Sequence, residues 1–240
     1  MKSQIYAVIP ARSGSKGVPN KNVKMFDGRP LMAYSIAAAR KSNLIDRVIV
    51  STDSEEYAEI ALKEGAEVPF LRPKEISTDI SKDIEFFSHF VRWIDSSGIT
   101  MPDYLVHLRP TTPLRDPSII DSAIIHFSKS KYTSLRSVHL MAQSAYKFVE
   151  MNKNQLLQIF SKNSDIESSN QARQSYPMTY APNGYVDIVR TQLIKNNILH
   201  GDNVYGFLTK IVYDIDTDDD FNLIEYYLKK NPELSARLFD

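Results

Sequence analysis

Apolar residues along the chain fall into short continuous runs, separated by stretches where they recur every three or four positions. Ile5, Tyr6, Ala7, Val8 and Ile9 form the first run, which predicts a strand buried on both faces. Residues 30–43 then carry apolar side chains at helical spacing, with Pro30 suited to a first turn. Arg47 to Ser51 reads as a second strand, and Ser54 opens a helix running to about Glu64. Glu55 and Glu56 occupy its first turn, where the helix dipole favours negative charge. Gly65 stops it, and Glu67 to Leu71 reads as a short third strand. Strands and helices alternating over short links predict a parallel sheet covered by helices.

The same alternation continues further along. Residues 84–97 place Ile84, Phe87, Val91 and Ile94 on one helical face. Tyr104 to Leu108 is a buried strand, Asp116 and Pro117 open a helix to about Phe127, and residues 133–139 form another strand. From about 140 to 180 the periodicity weakens and Asn, Gln, Ser and Lys are frequent. Two apolar pieces within that stretch, AYKFVEM and LLQIF, suit the strands of a hairpin. Composition supports a protruding arm and a flexible loop equally. Asn183-Gly184 is a turn by its own chemistry, and Gly184 to Val189 a strand. A strand read from Lys210 puts Asp214 and Asp216 on one face, and FNLIEYYLKK is the final helix.

Composition narrows the class. With 240 residues, 42% of them apolar, the chain can build one large domain with a sizeable core. Twenty-nine basic and 29 acidic residues cancel, so no global field favours nucleic acid or a membrane surface. The absence of cysteine excludes disulfides, thiolate catalysis and Cys-ligated zinc. No signal-peptide h-region follows Met1 and no run of 18 apolar residues occurs, so a cytoplasmic protein is expected. His89, His107, His126, His139 and His200 show no metal-ligand spacing and read as structural.

Against that neutral background the exit of the first strand stands out. Pro10 ends it, and a loop with Arg12, Ser13, Gly14, Ser15, Lys16, Gly17, Lys21 and Asn22 follows. Its glycines let backbone N–H groups converge on an anion, and Arg12, Lys16 and Lys21 supply the charge a triphosphate needs. The spacing matches neither the Walker A pattern nor GxGxxG, which excludes those phosphate loops. Strand ends are where α/β sheets bind ligands. Further along, Arg72 is placed to reach a nucleotide, while Thr78, Asp79 and Ser81 either bond base or ribose or cap a helix. Two prolines hold Thr111 and Thr112 in a stiff strand-end loop. Asp214 and Asp216 repel each other unless a cation lies between them, and oxygen-only ligands suit Mg²⁺. Asp218, Asp219 and Asp220 are helix-start residues, and an EF-hand is excluded by register.

IPARSGSKGVPNKN resembles the signature of the acylneuraminate cytidylyltransferases, also called CMP-sialic acid synthetases. VSTDSEEYAEIA, AEVPFLRP, LRPTTPLR, RQSYPMTYAPNG and DIDTDDDF match that family in the same order, from about residue 5 to about residue 228. The resemblance implies a three-layer α/β/α, Rossmann-like nucleotidyltransferase fold over residues 1–240, with 140–180 as an inserted dimerisation and acceptor-site arm. It further implies a homodimer that uses CTP, Mg²⁺ and a sialic-acid-like nonulosonic sugar.

Nucleotide contacts are then expected from Ala11, Arg12, Ser13, Gly14, Ser15, Lys16, Asn22, Arg72, Thr78 and Asp79. Sugar contacts are expected from Arg109, Thr111, Thr112, Arg173 and Gln174, and metal ligation from Asp214 and Asp216. Arg12, Lys16 and Lys21 would stabilise the transition state, with Asp216 or a metal-bound water as base. One departure bears on the sugar, because the family commonly has Gln where this chain has Arg109. That permanent cation is free to pair with a substrate carboxylate or phosphate, or to form a structural salt bridge. Three alternatives stay open: another acid sugar or a sugar 1-phosphate with a different nucleotide, an Asp-x-Asp glycosyltransferase, and a non-catalytic nucleotide-binding module.

Overall fold

The structure, a computed structural model, describes residues 3–160 and 166–240. The first strand, β1 (Ile5–Pro10), is followed by the two-residue strands β2 (Met25–Phe26) and β3 (Arg29–Pro30), which pair antiparallel. Then come α1 (Leu31–Arg40), β4 (Arg47–Ser51), α2 (Glu55–Lys63), α3 (Asp83–Ser97), β5 (Tyr104–His107) and α4 (Pro117–Ser128). The second half contains β6 (Ser134–Leu140), β7 (Val149–Asn152), β8 (Gln155–Gln158), β9 (Tyr180–Arg190), α5 (Thr191–Lys195), β10 (Val204–Leu208), α6 (Asp218–Lys230) and α7 (Glu233–Phe239).

Six strands form one sheet in the order β10-β6-β9-β5-β1-β4. Its pairings are parallel except for β9, which runs antiparallel to both β5 and β6. Alternating side chains of β1 feed two apolar clusters. Ile5, Ala7 and Ile9 pack with Met32 and Ile36 of α1, Ile120 of α4, Phe221 of α6 and Leu238 of α7. Tyr6 and Val8 pack on the other face with Phe86, Phe87, Phe90 and Ile94 of α3. These are the three layers of an α/β/α domain. The helix ends follow the sequence signals: Ser54 and Asp116 cap α2 and α4 through their side chains, and Thr217 with Asp220 forms a capping box on α6.

The structure departs from the sequence reading in three places. Residues 67–71 make only isolated parallel bridges, Ile49 with Glu67 and Thr52 with Leu71. Pro69 between them has no N–H to give to a ladder. No strand runs from Lys210 to Asp216. β10 ends at Leu208, and the N–H of Ile215 instead donates to the Thr111 carbonyl at 2.9 Å. Asn183-Gly184 lies inside β9 rather than in a free turn. Gly184 has φ of +64°, and the β6–β9 register breaks there between Arg136 and Val138. This is the irregularity that a glycine in left-handed conformation permits within a strand.

In the 140–180 region, β7 and β8 pair as an antiparallel hairpin. Its turn residues Lys153 and Asn154 both take positive φ, 46° and 69°, the geometry that matches strand twist in a two-residue turn.

Candidate active site

The loop after β1 is fixed at several points. The buried Ala11 donates its N–H to the Ser51 carbonyl at 2.9 Å, holding the loop's first residue against the end of β4. Both the N–H and the hydroxyl of Ser13 donate to the Asp53 carboxylate at 2.7 Å. Asn22, also buried, donates its side-chain amide to the Arg12 carbonyl at 2.9 Å, closing residues 12–22 into a ring. Gly14 takes φ of +71° within it. Asp53 is therefore the anchor of the loop as well as a residue near the entry of α2.

The loop's cations face different partners. Lys21 reaches the Ile215 carbonyl at 2.7 Å and the Asp216 carboxylate at 3.3 Å. Arg12 and Lys16 both hold Asp79, at 2.8 and 2.6 Å, and the Lys16 hydrogen bond, helped by Arg12, lowers the Asp79 pKa against an opposing desolvation. Arg72 is buried and donates to the Ser51 carbonyl at 2.8 Å, while its Nε has no hydrogen-bond partner among the described residues. Burial brings its pKa down to about 10. Thr78 is exposed and, among the described residues, bonds Ser81 through its N–H and its hydroxyl, both at 2.9 Å.

Two cavities open at this end of the sheet. The first, of about 240 Å³, is lined by Arg12, Ser15, Lys21, Asn22, Arg72, Ser81, Arg109 and Thr111 among others. The second, of about 330 Å³, is lined by Arg109, Arg136, His139, Pro182, Asn183, Gly184, Val212 and Asp214. Arg109 forms a wall of both. Its guanidinium is bridged between Asp83 of α3 and Asp187 of β9, each at 2.9 Å. The sequence left its charge open between a substrate anion and a structural salt bridge, and the structure gives both sides of its fork to these carboxylates.

Arg115 sets the backbone between the cavities. It is fully buried and donates to the Ser35 hydroxyl and to four carbonyls, those of Arg109, Thr112, Gly184 and Tyr185. It thereby ties the Thr111-Thr112 loop to β9 and α1.

Asp214 and Asp216 reach this region through the Ile215–Thr111 bond. Asp214 lines the second cavity, accepts a long 3.5 Å hydrogen bond from the Thr112 hydroxyl, and forms no ion pair among the described residues. Asp216 is exposed beside Lys21. The pair suits a hard cation by donor chemistry: two carboxylates, one without a cationic partner, next to a triphosphate-sized basic loop. Among the described residues no group of three or more His, Asp or Glu could hold a metal, so such an ion would complete its shell with substrate and water oxygens.

Arg173 and Gln174 lie apart from both cavities. They form a short turn, Arg173–Ser175, in the arm, where Arg173 lines a small separate cavity with Met141, Ser144 and Tyr176. The sequence reading did not single out Asp83, Asp187, Arg115 or Arg136. Asp83 and Asp187 reach Arg109 across 26 and 78 positions, and Arg115 reaches Tyr185 across 70, which no local pattern reveals. A buried charge type within a strand, as at Asp187, was the available signal.

Comparison with known proteins shows the family and the fold. The cytidylyltransferase family profile matches residues 6–235. N-acylneuraminate cytidylyltransferase of Escherichia coli O18:K1:H7 is 35% identical over 240 residues, an alignment covering 96% of this chain and 54% of that protein. The chain thus spans about half the length of that relative. CMP-N,N'-diacetyllegionaminic acid synthase of Legionella pneumophila is 31% identical over 242 residues, covering 96% of this chain and 98% of that one. The solved structure of CMP:2-keto-3-deoxy-manno-octonic acid synthetase complexed with CTP superimposes with a TM-score of 0.71. That alignment has 15% identity and covers 95% of this chain and 100% of the other, a likeness of fold.

Proposed function

The chain belongs to the cytidylyltransferase family, and on that premise we propose that it activates a nonulosonic, sialic-acid-like sugar with CTP, giving the CMP-sugar and pyrophosphate. The observation that carries this reading is the meeting of the basic loop and the acidic segment through Lys21, Ile215 and Asp216, between two cavities that share Arg109. A triphosphate in the first cavity and an acid sugar in the second would adjoin there.

In this reaction the anomeric hydroxyl oxygen bonds to the α-phosphorus as the bond from that phosphorus to the β-bridging oxygen breaks. Pyrophosphate leaves and the hydroxyl loses its proton. Arg12, Lys16 and Lys21 hold the phosphates and neutralise charge on the departing pyrophosphate. Ala11, Ser13, Gly14, Ser15 and Asn22 shape the loop that receives them, and Arg72, Thr78 and Asp79 are the residues assigned to base and ribose. Arg109 borders both substrates, Thr111 lines the first cavity, and the buried Thr112 reaches the acceptor side only through Asp214, so orientation of the two substrates is the main service of the protein. Asp216 is the assigned proton acceptor, and an Asp216→Asn variant with normal turnover would remove it from that role. Asp214 and Asp216 would hold Mg²⁺, which when bound neutralises phosphate charge and makes the sugar hydroxyl more acidic.

We assign the 140–180 arm to dimerisation. Phe148, Met151, Phe160 and Met178 there are exposed apolar side chains, the kind of surface that a second copy covers. Arg173 and Gln174 would then act at the partner's acceptor site. Among the described residues no helix is long and apolar enough to cross a membrane, and a cytoplasmic setting is part of this proposal.

The test is pyrophosphate release with Mg²⁺, crossing the four nucleoside triphosphates with sialic, legionaminic, pseudaminic and octulosonic acids and hexosamine 1-phosphates. Release confined to CTP and a nonulosonic acid is expected. Release with another nucleotide and a hexose phosphate would overturn the substrate assignment, and the loss of release on chelation would support the metal.

A further inference from the structure

The second cavity has two guanidinium groups on its wall, and they are not equivalent. Arg109 has one terminal nitrogen on Asp187 and the other on Asp83, both at 2.9 Å, so its fork is occupied. Arg136 of β6 sits directly across from Asp187 of β9, but its Nε is 3.8 Å from that carboxylate. The nearer oxygen already accepts from Arg109, and the other accepts the Ser137 N–H at 3.3 Å. The buried Nε of Arg136 has no hydrogen-bond partner among the described residues. On the other flank β10 presents Gly206 opposite Arg136, where even an added β-carbon would meet only Val138 at 3.7 Å. The guanidinium therefore has space beside it, a cavity before it and one carboxylate too distant to satisfy it.

We propose that Arg136 receives the carboxylate of the acid-sugar acceptor, and that Arg109, locked by Asp83 and Asp187, is the positioning residue that leaves Arg136 available. This rests on the reading of the chain as a CTP-dependent activator of an acid sugar. A guanidinium offers a carboxylate two parallel N–H donors, and such charge-assisted forks are among the stronger and more directional contacts at a site. Arg109 keeps Asp187 from closing onto Arg136. A carboxylate entering the cavity would meet the terminal nitrogens of the partly exposed Arg136 side chain, whose Nε is turned inward toward Asp187, and would lie on the same wall as Asp214, next to the phosphate-binding cavity that shares Arg109. The other side chains lining the cavity include His139 and Asn183, which can hydrogen-bond sugar hydroxyls.

The experiment compares the wild-type chain, Arg136→Gln and Arg136→Lys in pyrophosphate release. Each is assayed with the nonulosonic acid it uses and with that sugar's carboxamide. Arg136→Gln should raise the KM for the acid about 10- to 100-fold, the range of a lost charge-assisted hydrogen bond, while the KM for CTP stays unchanged. The carboxamide should be penalised similarly in the wild type and not further in Arg136→Gln. Arg136→Lys, a point charge without the fork, should fall between them and serves as the test if the glutamine variant does not fold. An unchanged KM for the acid in either variant, or a carboxamide penalty equal in wild type and Arg136→Gln, overturns the assignment while leaving the cytidylyltransferase reaction intact. A wild-type chain that turns over no acid sugar overturns the reaction itself, and this assignment with it.

Discussion

Gly17 lies against the carbonyl oxygen of Asp216, so close that a β-carbon at residue 17 would overlap it. The loop after β1 and the acidic segment before α6, two hundred positions apart in the chain, therefore meet backbone to backbone. Lys21 on Ile215 and Lys24 on Asp218, at 2.7 and 2.5 Å, flank that contact. Gly17→Ala should force the two apart. Turnover should fall at least tenfold, and stability should drop by about 1–3 kcal/mol, the usual cost of overpacking a fitted contact. Kinetics alongside urea denaturation would check both numbers, and a fully active, equally stable alanine variant would show that the contact is dispensable.

Arg115 is the second residue whose loss should be felt. It is fully buried and its five acceptors are all neutral. Burial is the main cause that pulls its pKa down to about 9, since no carboxylate accepts from it directly. Arg115→Met leaves several carbonyls without donors between the two cavities. Removing one member of such a buried polar cluster costs about 3 kcal/mol or more, read as a lower urea midpoint. The KM for both substrates should rise in whatever fraction remains folded, because the Arg109 and Thr112 carbonyls lose the same anchor.

Much of this arrangement was legible in the sequence, and the exceptions share a cause. The apolar run of β1, the caps at Ser54 and Asp116 and the hairpin of β7 and β8 are written locally, in neighbouring residues. Loop chemistry at Arg12 to Asn22 was equally plain. Pairings of distant residues were not. Nothing near Arg109 announces that Asp83 and Asp187 will take its fork, and nothing near Asp53 announces that it will hold Ser13. The alternation from Lys210 pointed to a strand, but a strand needs a neighbour, and the N–H of Ile215 found the Thr111 carbonyl instead. Residues 67–71 failed for the converse reason, with a neighbour in β4 and Pro69 in the way.

Asp79 offers a test with opposite outcomes. Its carboxylate is held by Arg12 and Lys16, the cations assigned to phosphate. If it acts mainly as their counter-charge, Asp79→Asn should tighten triphosphate binding, by roughly two- to fivefold for an exposed pair screened by solvent. A contact to base or ribose would give weaker binding instead. Calorimetric titration with CTP separates the two, and the gain should shrink as salt is raised.

The buried His107 predicts a pH dependence of stability. Burial, then the neighbouring Arg109, Arg115, His200 and Arg136, hold its pKa well below the usual histidine value. Asp83 at 3.8 Å is the nearest carboxylate, and it already serves Arg109. The edges of Phe86 and Phe87 enclose the ring, and its Nε2 has no partner among the described residues. The folded state thus keeps the ring neutral, whereas the unfolded chain protonates it near pH 6.5. Between those two pKa values the unfolded state binds more protons, so stability rises with pH. The stabilising effect is complete above about pH 6.5 and is lost as the solution is acidified below it, at up to about 1.4 kcal/mol per pH unit for each such group. His89 and His200 are lowered in the same direction, chiefly by burial, and should steepen the slope. Urea unfolding from pH 7.5 to 5.0 should show this decline, and His107→Gln should flatten it. An equal slope in wild type and variant would mean that residue 107 accepts a proton inside the folded chain, with Asp83 released from Arg109 to receive it.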